Sequence, residues 1–376
     1  MRIVLAPDSY KGSLTARQAC RAMARGVRRV WPAAEIVEVP MADGGNGTTE
    51  ALVWATGGQI RQAKVTGPLP ETKIEADWGL LGDGRTAVVE MARASGLILV
   101  PPAKRNPLHT TTFGTGELMA AALAAGAARL IVGIGGSATT DGGAGMAQAL
   151  GARFFDRAGR QITALLTGGR LAEVADLDVA AMDSRIGAGR IDVACDVDNP
   201  LLGPRGAAAI YGPQKGASPA DVAVLEANLT RFYDIVERRL GRPVREVPGA
   251  GAAGGLGAGL LAFCRAHLVR GVDVVLQAAD LAGKLAGADL VLTGEGQLDA
   301  QTASGKTLSG VARAASAAGV PVIALPGRLA DGPAAIAALH LAKAVAISPP
   351  DMPVEQAMTQ AEDLLAAAAE KVCREI

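Results

Sequence analysis

The sequence has almost no excess charge and few of the residues that build metal clusters or disulfide frameworks. Its 37 basic side chains balance 37 acidic ones over 376 residues. It therefore lacks the positive field that nucleic-acid binding and polybasic membrane binding require. The four cysteines lie far apart with no CxxC pair, which argues against a cysteine zinc site and a disulfide framework. The sequence has only three histidines, too few to support a histidine-rich metal site or acid–base network.

Long apolar runs are also missing, although 49% of the residues are hydrophobic. No window approaches the roughly 18 uninterrupted apolar residues that a membrane span needs. Asp8 and Lys11 interrupt the apolar start of the chain, which argues against a signal peptide. We therefore expect a cytoplasmic protein with neither a membrane nor a nucleic-acid partner. At roughly 150 residues per domain, the length suggests about two domains.

Glycine is what the sequence has in excess. Its 48 glycines are well above the average share of roughly 7%. They cluster beside Ser, Thr, Asp and Lys rather than in linkers. Such clusters are typical of a backbone that approaches anions closely.

Strand-like and helical segments alternate at both ends of the chain, and this alternation predicts a parallel sheet with right-handed crossovers. The strand-like segments are residues 2–6, 35–39, 290–293, 320–325 and 343–347. The middle of the chain has a different texture, with neighbouring strands and long Gly-rich loops. We predict an α/β fold: a discontinuous doubly wound, Rossmann-like parallel-sheet domain from residues 1–64 and 286–376, and a second α/β domain inserted at 65–285.

Two loops near the N-terminus carry polar side chains where predicted strands end. The loop after the first strand contains Asp8, Ser9 and Lys11, and the loop after the second contains Asp43 with three glycines. Ligands of doubly wound sheets bind at the carboxyl ends of strands. A turn rich in Asp, Ser and Gly is the alternative for the first loop alone. Two adjacent strand ends of the same character favour a site.

The loop at residues 133–145 follows a predicted strand, precedes a helix and is rich in glycine. Exposed backbone N–H groups at such a junction bind phosphate or carboxylate. A tight turn alone would not need so many glycine, hydroxyl and carboxylate residues. We predict an anion-binding loop that includes Gly135, Gly136, Ser137 and Thr139.

Paired carboxylates follow another predicted strand, at residues 191–195. Extended geometry would place Asp196 and Asp198 on one face, where two carboxylates repel unless a cation compensates. Mg²⁺ prefers such oxygen ligands together with substrate phosphates. Metal binding and general-base catalysis stay open for the pair, and turn capping is the structural alternative. Gln214 and Lys215 lie in a later turn. We include them in the predicted site only because the other candidate residues accompany them.

The segment 293–307 joins acidic residues to a lysine. Gly305-Lys306-Thr307 resembles the end of a Walker A loop, but Ala300 occupies the position of its first glycine. Lys306 can still reach phosphate from a helix start, while Glu295 and Asp299 could order a metal or water. Taken together, these loops supply what phosphoryl transfer needs: amides and lysines for phosphate oxygens, and carboxylates for Mg²⁺ and for the attacking hydroxyl.

The order of these motifs resembles the bacterial glycerate kinase family, type I. The motifs are APDSYKGS, MADGGNGT, NPLHTTTFGTGEL, GIGGSATTDGGAGM, ACDVDNPLLGPRGA, YGPQKGA, PGAGAAGGLGAG and TGEGQLDAQTASGK. The resemblance covers nearly the whole chain. It implies ATP-dependent phosphorylation of D-glycerate to 2-phosphoglycerate with release of ADP. It also implies Mg²⁺ and two α/β domains with the active site in the interdomain cleft; a homo-oligomer stays open.

The resemblance also implies roles for single residues. Lys11, Lys215, Asp196, Asp198 and Glu295 are expected to be catalytic. The expected substrate- or nucleotide-binding residues are Asp8, Ser9, Asp43, Gly135, Gly136, Ser137, Thr139, Asn199, Gln214 and Lys306. The expected metal ligands are Asp196, Asp198, Glu295 and Asp299. The chain departs from the family pattern at Asn46, Thr140 and Gln297, where the family commonly has Glu, Asn and Arg. These departures bear on substrate preference more than on the reaction.

Two other functions remain as alternatives. Residues 249–254 match GxGxxG and would fit an NAD-linked hydroxyacid dehydrogenase, but Pro248 stands where a strand should lead in. A sugar-acid sensor would bind glycerate without ATP turnover. The absence of a basic face makes a DNA-linked sensor a poor fit to the sequence.

Overall fold

A computed structural model describes residues 1–298, 307–330 and 332–376. The chain forms two compact units. Unit 1 contains Met1–Asp43, Glu50–Gly58 and Val272–Ile376, and unit 2 contains Gly44–Thr49 and Gln59–Gly271. The predicted boundaries put residues 44–49 and 59–64 in the first domain and 272–285 in the second, whereas the first two segments belong to unit 2 and the third to unit 1.

The described residues contain fifteen strands, numbered here in chain order. They are β1 Arg2–Leu5, β2 Glu35–Glu38, β3 Gln59–Thr66, β4 Lys73–Leu80, β5 Thr86–Glu90, β6 Arg129–Gly133, β7 Arg153–Phe155, β8 Asp176–Asp178, β9 Arg190–Ala194, β10 His267–Val269, β11 Leu290–Thr293, β12 Gln297–Leu298, β13 Val322–Ala324, β14 Arg328–Leu329 and β15 Lys343–Ala344.

Fifteen α-helices lie in the same described ranges. They are α1 Ala16–Val30, α2 Thr48–Thr56, α3 Ala92–Ser95, α4 Phe113–Ala124, α5 Ala144–Ala149, α6 Ser184–Ala188, α7 Ala207–Tyr211, α8 Pro219–Leu240, α9 Ala252–Cys264, α10 Gly271–Ala278, α11 Leu281–Leu285, α12 Thr307–Ala317, α13 Gly332–Ala338, α14 Val354–Thr359 and α15 Ala361–Arg374. No helix in the described part of the chain has the length and apolar character needed to cross a bilayer.

Unit 1 is built on a five-stranded sheet in the order β15-β13-β11-β1-β2. All of its pairs are parallel, as the alternating sequence pattern predicts. The chain proceeds outward from β1 to β2 and then returns to add β11 on the other side of β1. The sheet therefore has a topological switch point between β1 and β11, and open α/β sheets bind ligands at the carboxyl ends of the strands there.

Helices α1 and α15 pack closely together within unit 1. A methyl group on Gly26 of α1 would lie 2.2 Å from the carbonyl oxygen of Ala366 in α15, so only glycine permits this approach. Thr15 starts α1 with a capping box to Gln18, which satisfies backbone N–H groups that a helix start leaves unpaired. The apolar side chains of the two helices share one buried cluster with β1 and β11.

Unit 2 is built on a six-stranded sheet in the order β10-β9-β6-β5-β4-β3. Strands β10, β9, β6 and β5 run parallel, and β4 and β3 are antiparallel additions. The pairing of β3 with β4 extends over eight residues of each strand, from Gln59 opposite Leu80 to Thr66 opposite Lys73. This pairing is why residues 59–64 belong to unit 2. A separate buried cluster fills this unit.

The mixed α/β class and the parallel sheets are confirmed, and several predicted elements fall close to their observed positions. The longest helix, α8, begins at Pro219 after a capping box between Ser218 and Asp221. It ends before Gly241, whose φ of 64° is the left-handed conformation common after a helix. The inserted-domain description stays a prediction.

Candidate active site

The loop after β1 is held against the end of β11. The backbone N–H of Asp8 donates to the carbonyl of Gly294 over 2.8 Å, and the Thr293 hydroxyl donates to the carbonyl of Ala6 over 2.8 Å. These bonds place the Asp8 side chain at the switch point of the unit 1 sheet. Two strand ends that lie far apart in the sequence therefore form a candidate site within unit 1.

The Asp8 carboxylate has specific partners in unit 1. Its Oδ1 accepts from the N–H of Ser9 over 2.5 Å, and its Oδ2 accepts from the hydroxyl of Thr307, the first residue of α12. The pKa of Asp8 is raised to about 6: burial raises it most, the Thr307 hydrogen bond lowers it, and the charge of Asp43 raises it. The structure thus brings Asp8 and Asp43 close enough to interact, as the two adjacent loops predict.

Tyr10 anchors this loop, and sequence reasoning did not single it out. Its side chain is buried, and its hydroxyl donates to the carbonyl of Leu325, 315 residues away. A methyl group on Gly294 would lie 2.2 Å from that hydroxyl, so the glycine makes room for the tyrosine. An aromatic residue in the middle of a polar loop was the available signal. Because Tyr10 points inward, the exposed Lys11 is carried on a fixed backbone.

The remaining unit 1 candidates are placed in part. Glu295 follows β11, is 9% exposed, and its charge acts on Tyr10. Its backbone carbonyl accepts from the N–H of Gly327 over 2.9 Å, which ties the loop to the end of β13. The predictions for Asp299 and Lys306 lie outside the described residues.

In unit 2, the Gly-rich loop between β6 and α5 is organised by Asp141, which sequence reasoning did not assign to the site. Asp141 is fully buried. It accepts from the N–H and hydroxyl of Thr112 over 2.8 Å each, and from the N–H groups of Gly143 and Gly145 over 3.1 and 3.3 Å. The amides at the start of α5 therefore bind this carboxylate. The anion-binding prediction for this loop then rests on its earlier residues.

Those earlier residues are more accessible. Gly135 and Gly136 are exposed, and Ser137 is 9% exposed. The carbonyl of Gly136 accepts from the N–H of Leu97 over 2.9 Å, which fixes the turn. Gly136 has a φ of 72°, a left-handed conformation that glycine adopts readily. These backbone groups fit the predicted role of binding an anion.

Lys215 lies inside unit 2 rather than on its surface. It is 1% exposed, and its Nζ donates to the carbonyl of Thr139 over 2.6 Å. Burial lowers the pKa of Lys215 to about 7, opposed by the charge of Asp141. The turn that carries it, Pro213–Lys215, leaves Gln214 exposed. Lys215 thus contacts the Gly-rich loop directly, through the hydrogen bond from its Nζ to Thr139.

The burial of Lys215 makes the stability of the fold depend on pH. Between about pH 7 and pH 10 the unfolded chain keeps the lysine proton and the folded chain does not, so the free energy of unfolding should rise with pH. Urea unfolding at several pH values measures this slope. Lys215→Met should flatten it, and Lys343→Met, at an exposed ion pair with Glu375, should not. Equal slopes in wild type and Lys215→Met would contradict the assignment.

The acidic residues after β9 are exposed, and each has its own partner. Asp196 accepts from the N–H of Gly271 over 2.8 Å, and Asp198 makes an ion pair with Arg205 at 3.0 Å. The strand itself ends at Ala194, before either of the two residues. Arg205 supplies a cation that the sequence argument did not consider. The general-base and metal roles of both residues stay predictions.

Asn199 is held in the same loop. Its Oδ1 accepts from the hydroxyl of Tyr211 over 2.6 Å, and its Nδ2 donates to the carbonyl of Arg205 over 2.8 Å. The side chain therefore has a defined orientation next to the acidic pair.

Across the described ranges, no group of three His, Cys, Asp or Glu residues has an arrangement that could hold a metal.

Glu90, at the end of β5, is another residue that sequence reasoning missed. It is 2% exposed and accepts from the N–H groups of Thr49 and Gly47 over 2.7 and 3.3 Å. It thereby fixes the short Gly44–Thr49 segment to unit 2. A charged residue at the end of an otherwise apolar strand was the signal. Asn46, one of the departures from the family pattern, lies in this segment.

The chain is an α/β enzyme of the kinase class, as comparisons with known proteins show. The glycerate kinase of Bacillus subtilis (strain 168) is 50% identical over 376 residues, which cover 100% of this chain and 97% of the relative. The glycerate 2-kinase of Escherichia coli (strain K12) is 51% identical over 331 residues, which cover 88% of this chain and 86% of the relative.

Solved structures and family models agree with these relatives. A crystal structure from Salmonella typhimurium LT2, described as a candidate glycerate kinase 2, matches with a TM-score of 0.91 and 47% identity. The match covers 100% of this chain and 98% of that one. The model of the glycerate kinase family matches residues 3–376. The chain belongs to the glycerate kinase family.

Proposed function

We propose that the protein transfers the γ-phosphoryl group of ATP to D-glycerate, forming 2-phosphoglycerate and ADP. The observation that carries this proposal is identity of about half over the full chain with proteins named glycerate kinase. The name of the Escherichia coli relative, glycerate 2-kinase, supports the 2-position as the acceptor. Cytoplasmic location and the oligomeric state stay predictions of the sequence.

The proposed roles of the residues follow their surroundings. The exposed backbone of Gly135 and Gly136, with Ser137, would bind the substrate carboxylate or a phosphate. Lys11, exposed beside the fixed Tyr10, would neutralise charge that develops on the transferred group. Lys215 would act from the buried side of the Gly-rich loop, through its contact with Thr139.

Mg²⁺ belongs to the proposal as the ion that accompanies ATP. Asp196 and Asp198 fit such an ion in their chemistry, because Mg²⁺ is usually bound through one or two carboxylates together with substrate phosphates. To bind the ion, Asp198 would have to give up its ion pair with Arg205. Glu295 and Asp299 are proposed to support the ion. When bound, the ion would neutralise negative charge on the phosphates.

Product analysis tests the reaction directly. ³¹P NMR of a mixture of protein, ATP-Mg and D-glycerate should show ADP and a phosphomonoester coupled to the proton on C2. A signal from the 3-phosphate would change the assigned acceptor. Unchanged ATP would reject the proposed activity.

An Asp196→Asn variant is expected to lose kcat by about a hundredfold or more while remaining folded. Asp196 is exposed and its Oδ1 bonds one backbone N–H, a bond that an asparagine oxygen can still accept. The loss would therefore report on charge rather than on packing. Coupled ADP release gives kcat, and circular dichroism checks the fold. Turnover near that of wild type would refute a catalytic role.

The dehydrogenase alternative loses support from the position of its motif. The carbonyl of Gly254 accepts from the N–H of Gly142 over 3.1 Å, and a methyl group on Gly254 would lie 1.9 Å from the carbonyl oxygen of Thr139. The last glycine of the GxGxxG segment therefore packs against the loop after β6. Absorbance at 340 nm with hydroxypyruvate and NADH tests that activity. Glycerate binding without ATP turnover would indicate the sensor.

A further inference from the structure

Asp8 occupies the position in unit 1 where sheet topology favours a ligand. It follows β1 and hydrogen-bonds through its backbone to Gly294, which follows β11. These two strands flank the switch point, where the crevice at the strand ends binds ligands in open α/β sheets. Asp8 is half-buried, so part of the residue is exposed while the rest is shielded from water.

Among the described residues, the groups that donate hydrogen bonds to the Asp8 carboxylate are uncharged. Ser9 N–H and the Thr307 hydroxyl donate to its two oxygens, and neither carries a charge. The charged group of the next loop is Asp43, which repels the charged form of Asp8. Glu295 follows β11, and its charge, like that of Asp8, raises the pKa of the buried Tyr10. Lys11 is on the same loop and exposed, and Lys306 lies outside the described residues.

The acidic residues after β9 have different surroundings. Asp196 and Asp198 are both exposed, and Asp198 pairs with the guanidinium of Arg205. A general base must accept a proton at the working pH, and burial beside another carboxylate favours that more than exposure beside a guanidinium does.

We propose that Asp8 is the general base that removes the proton from the acceptor hydroxyl of the substrate. This inference rests on the proposed function. It assigns to one residue a task that the sequence left open between Asp196 and Asp198.

The step balances with the two substrates alone. The hydroxyl proton passes to Asp8, and the hydroxyl oxygen forms a bond to the γ-phosphorus of ATP. The bond between that phosphorus and the β,γ-bridging oxygen breaks, and ADP leaves with the electron pair. Asp8 later releases the proton to water, which regenerates the carboxylate.

The surroundings of Asp8 give the proposal a pH signature. Its pKa is raised to about 6, so the base is charged and active above that pH and protonated below it. The acid limb of kcat/KM for glycerate against pH should therefore have its midpoint near 6, because kcat/KM reports on groups of the free enzyme. Asp43→Asn removes a repelling charge and should move the midpoint to lower pH. Thr307→Val removes a hydrogen bond to the charged form and should move it to higher pH.

The test combines these variants with Asp8→Asn, which should lower kcat at least a hundredfold and abolish the acid limb. The KM for glycerate should change less than about threefold, because a base acts mainly in the transition state. Thr307→Ser keeps a hydroxyl donor and should keep the wild-type midpoint, whatever its kcat. Thermal unfolding of each variant checks that the fold is retained.

Three results would overturn the inference. In the first, Asp8→Asn keeps kcat within threefold of wild type. In the second, excess Mg²⁺ restores its kcat, which would identify a metal ligand instead. In the third, Asp43→Asn and Thr307→Val leave the midpoint in place. If wild type itself forms no ADP with D-glycerate, the proposed function fails; if only the variant results fail, the assignment of Asp8 fails alone.

Discussion

Asp141→Asn is expected to destabilise the protein by about 3–5 kcal/mol, the usual result of removing one partner from a buried set of charges. The carboxylate accepts from four donors in Thr112, Gly143 and Gly145. An asparagine side chain has one acceptor oxygen, and its NH₂ group would face N–H donors. The substitution would also leave the buried Lys215 without the opposing charge that acts on it.

Urea unfolding at neutral pH measures this loss. Asp198→Asn is a matched control, because its carboxylate is 78% exposed and pairs with an exposed arginine. That change should cost less than about 1 kcal/mol. The double variant Asp141→Asn, Lys215→Met should recover part of the loss, since it removes both charges. A single-variant loss no larger than the control's would show that the Asp141 contacts contribute little.

Gly254→Ala is expected to cost at least about 3 kcal/mol and to reduce activity through the Gly-rich loop. Gly254 has a φ of 70°, a conformation that costs a residue with Cβ roughly 1–2 kcal/mol. The added methyl would lie 1.9 Å from the carbonyl oxygen of Thr139 and 2.6 Å from Cα of Thr140, so backbone must move. Displacing these residues would shift the exposed amides that precede them.

Gly159→Ala separates the two contributions. Its φ of 73° is nearly the same, but nothing lies within 4 Å of an added methyl group. It should therefore show the conformational cost alone. Thermal unfolding and kcat of both variants give the comparison. Equal losses of stability and kcat in the two variants would mean that the backbone around Gly254 moves to relieve the close contact without further cost.

The fold was largely predictable because its signals are local. Alternating apolar strands and helices indicated a parallel sheet, and the observed pairs β1–β2, β1–β11 and β11–β13 are parallel. The boundary at 64 differs from the division into units for a physical reason. The side chains of β3 carry no sign that its backbone bonds to β4 rather than to the preceding strands.

The candidate site was predictable to the level of its loops but not of its internal contacts. The motifs named Asp8 and Asp43. In the structure Asp8 is close enough to Asp43 for the two carboxylates to repel each other, and this repulsion and burial both raise the pKa of Asp8. The motifs gave no hint that Asp141 binds the amides at the start of α5, or that Lys215 is buried against Thr139. Such partners are 2 to 76 residues apart, and the longer separations leave no pattern in the sequence.

The sequence by itself determined the α/β class, the loops that carry polar groups and the family. Periodicity, glycine clusters and motif order are properties of consecutive residues, so they can be read without coordinates. Only the tertiary structure decided that β11 returns beside β1, and that Thr307 donates to Asp8, 299 residues away. Burial and hydrogen bonding set the chemistry of a carboxylate, and both depend on segments that only folding brings together.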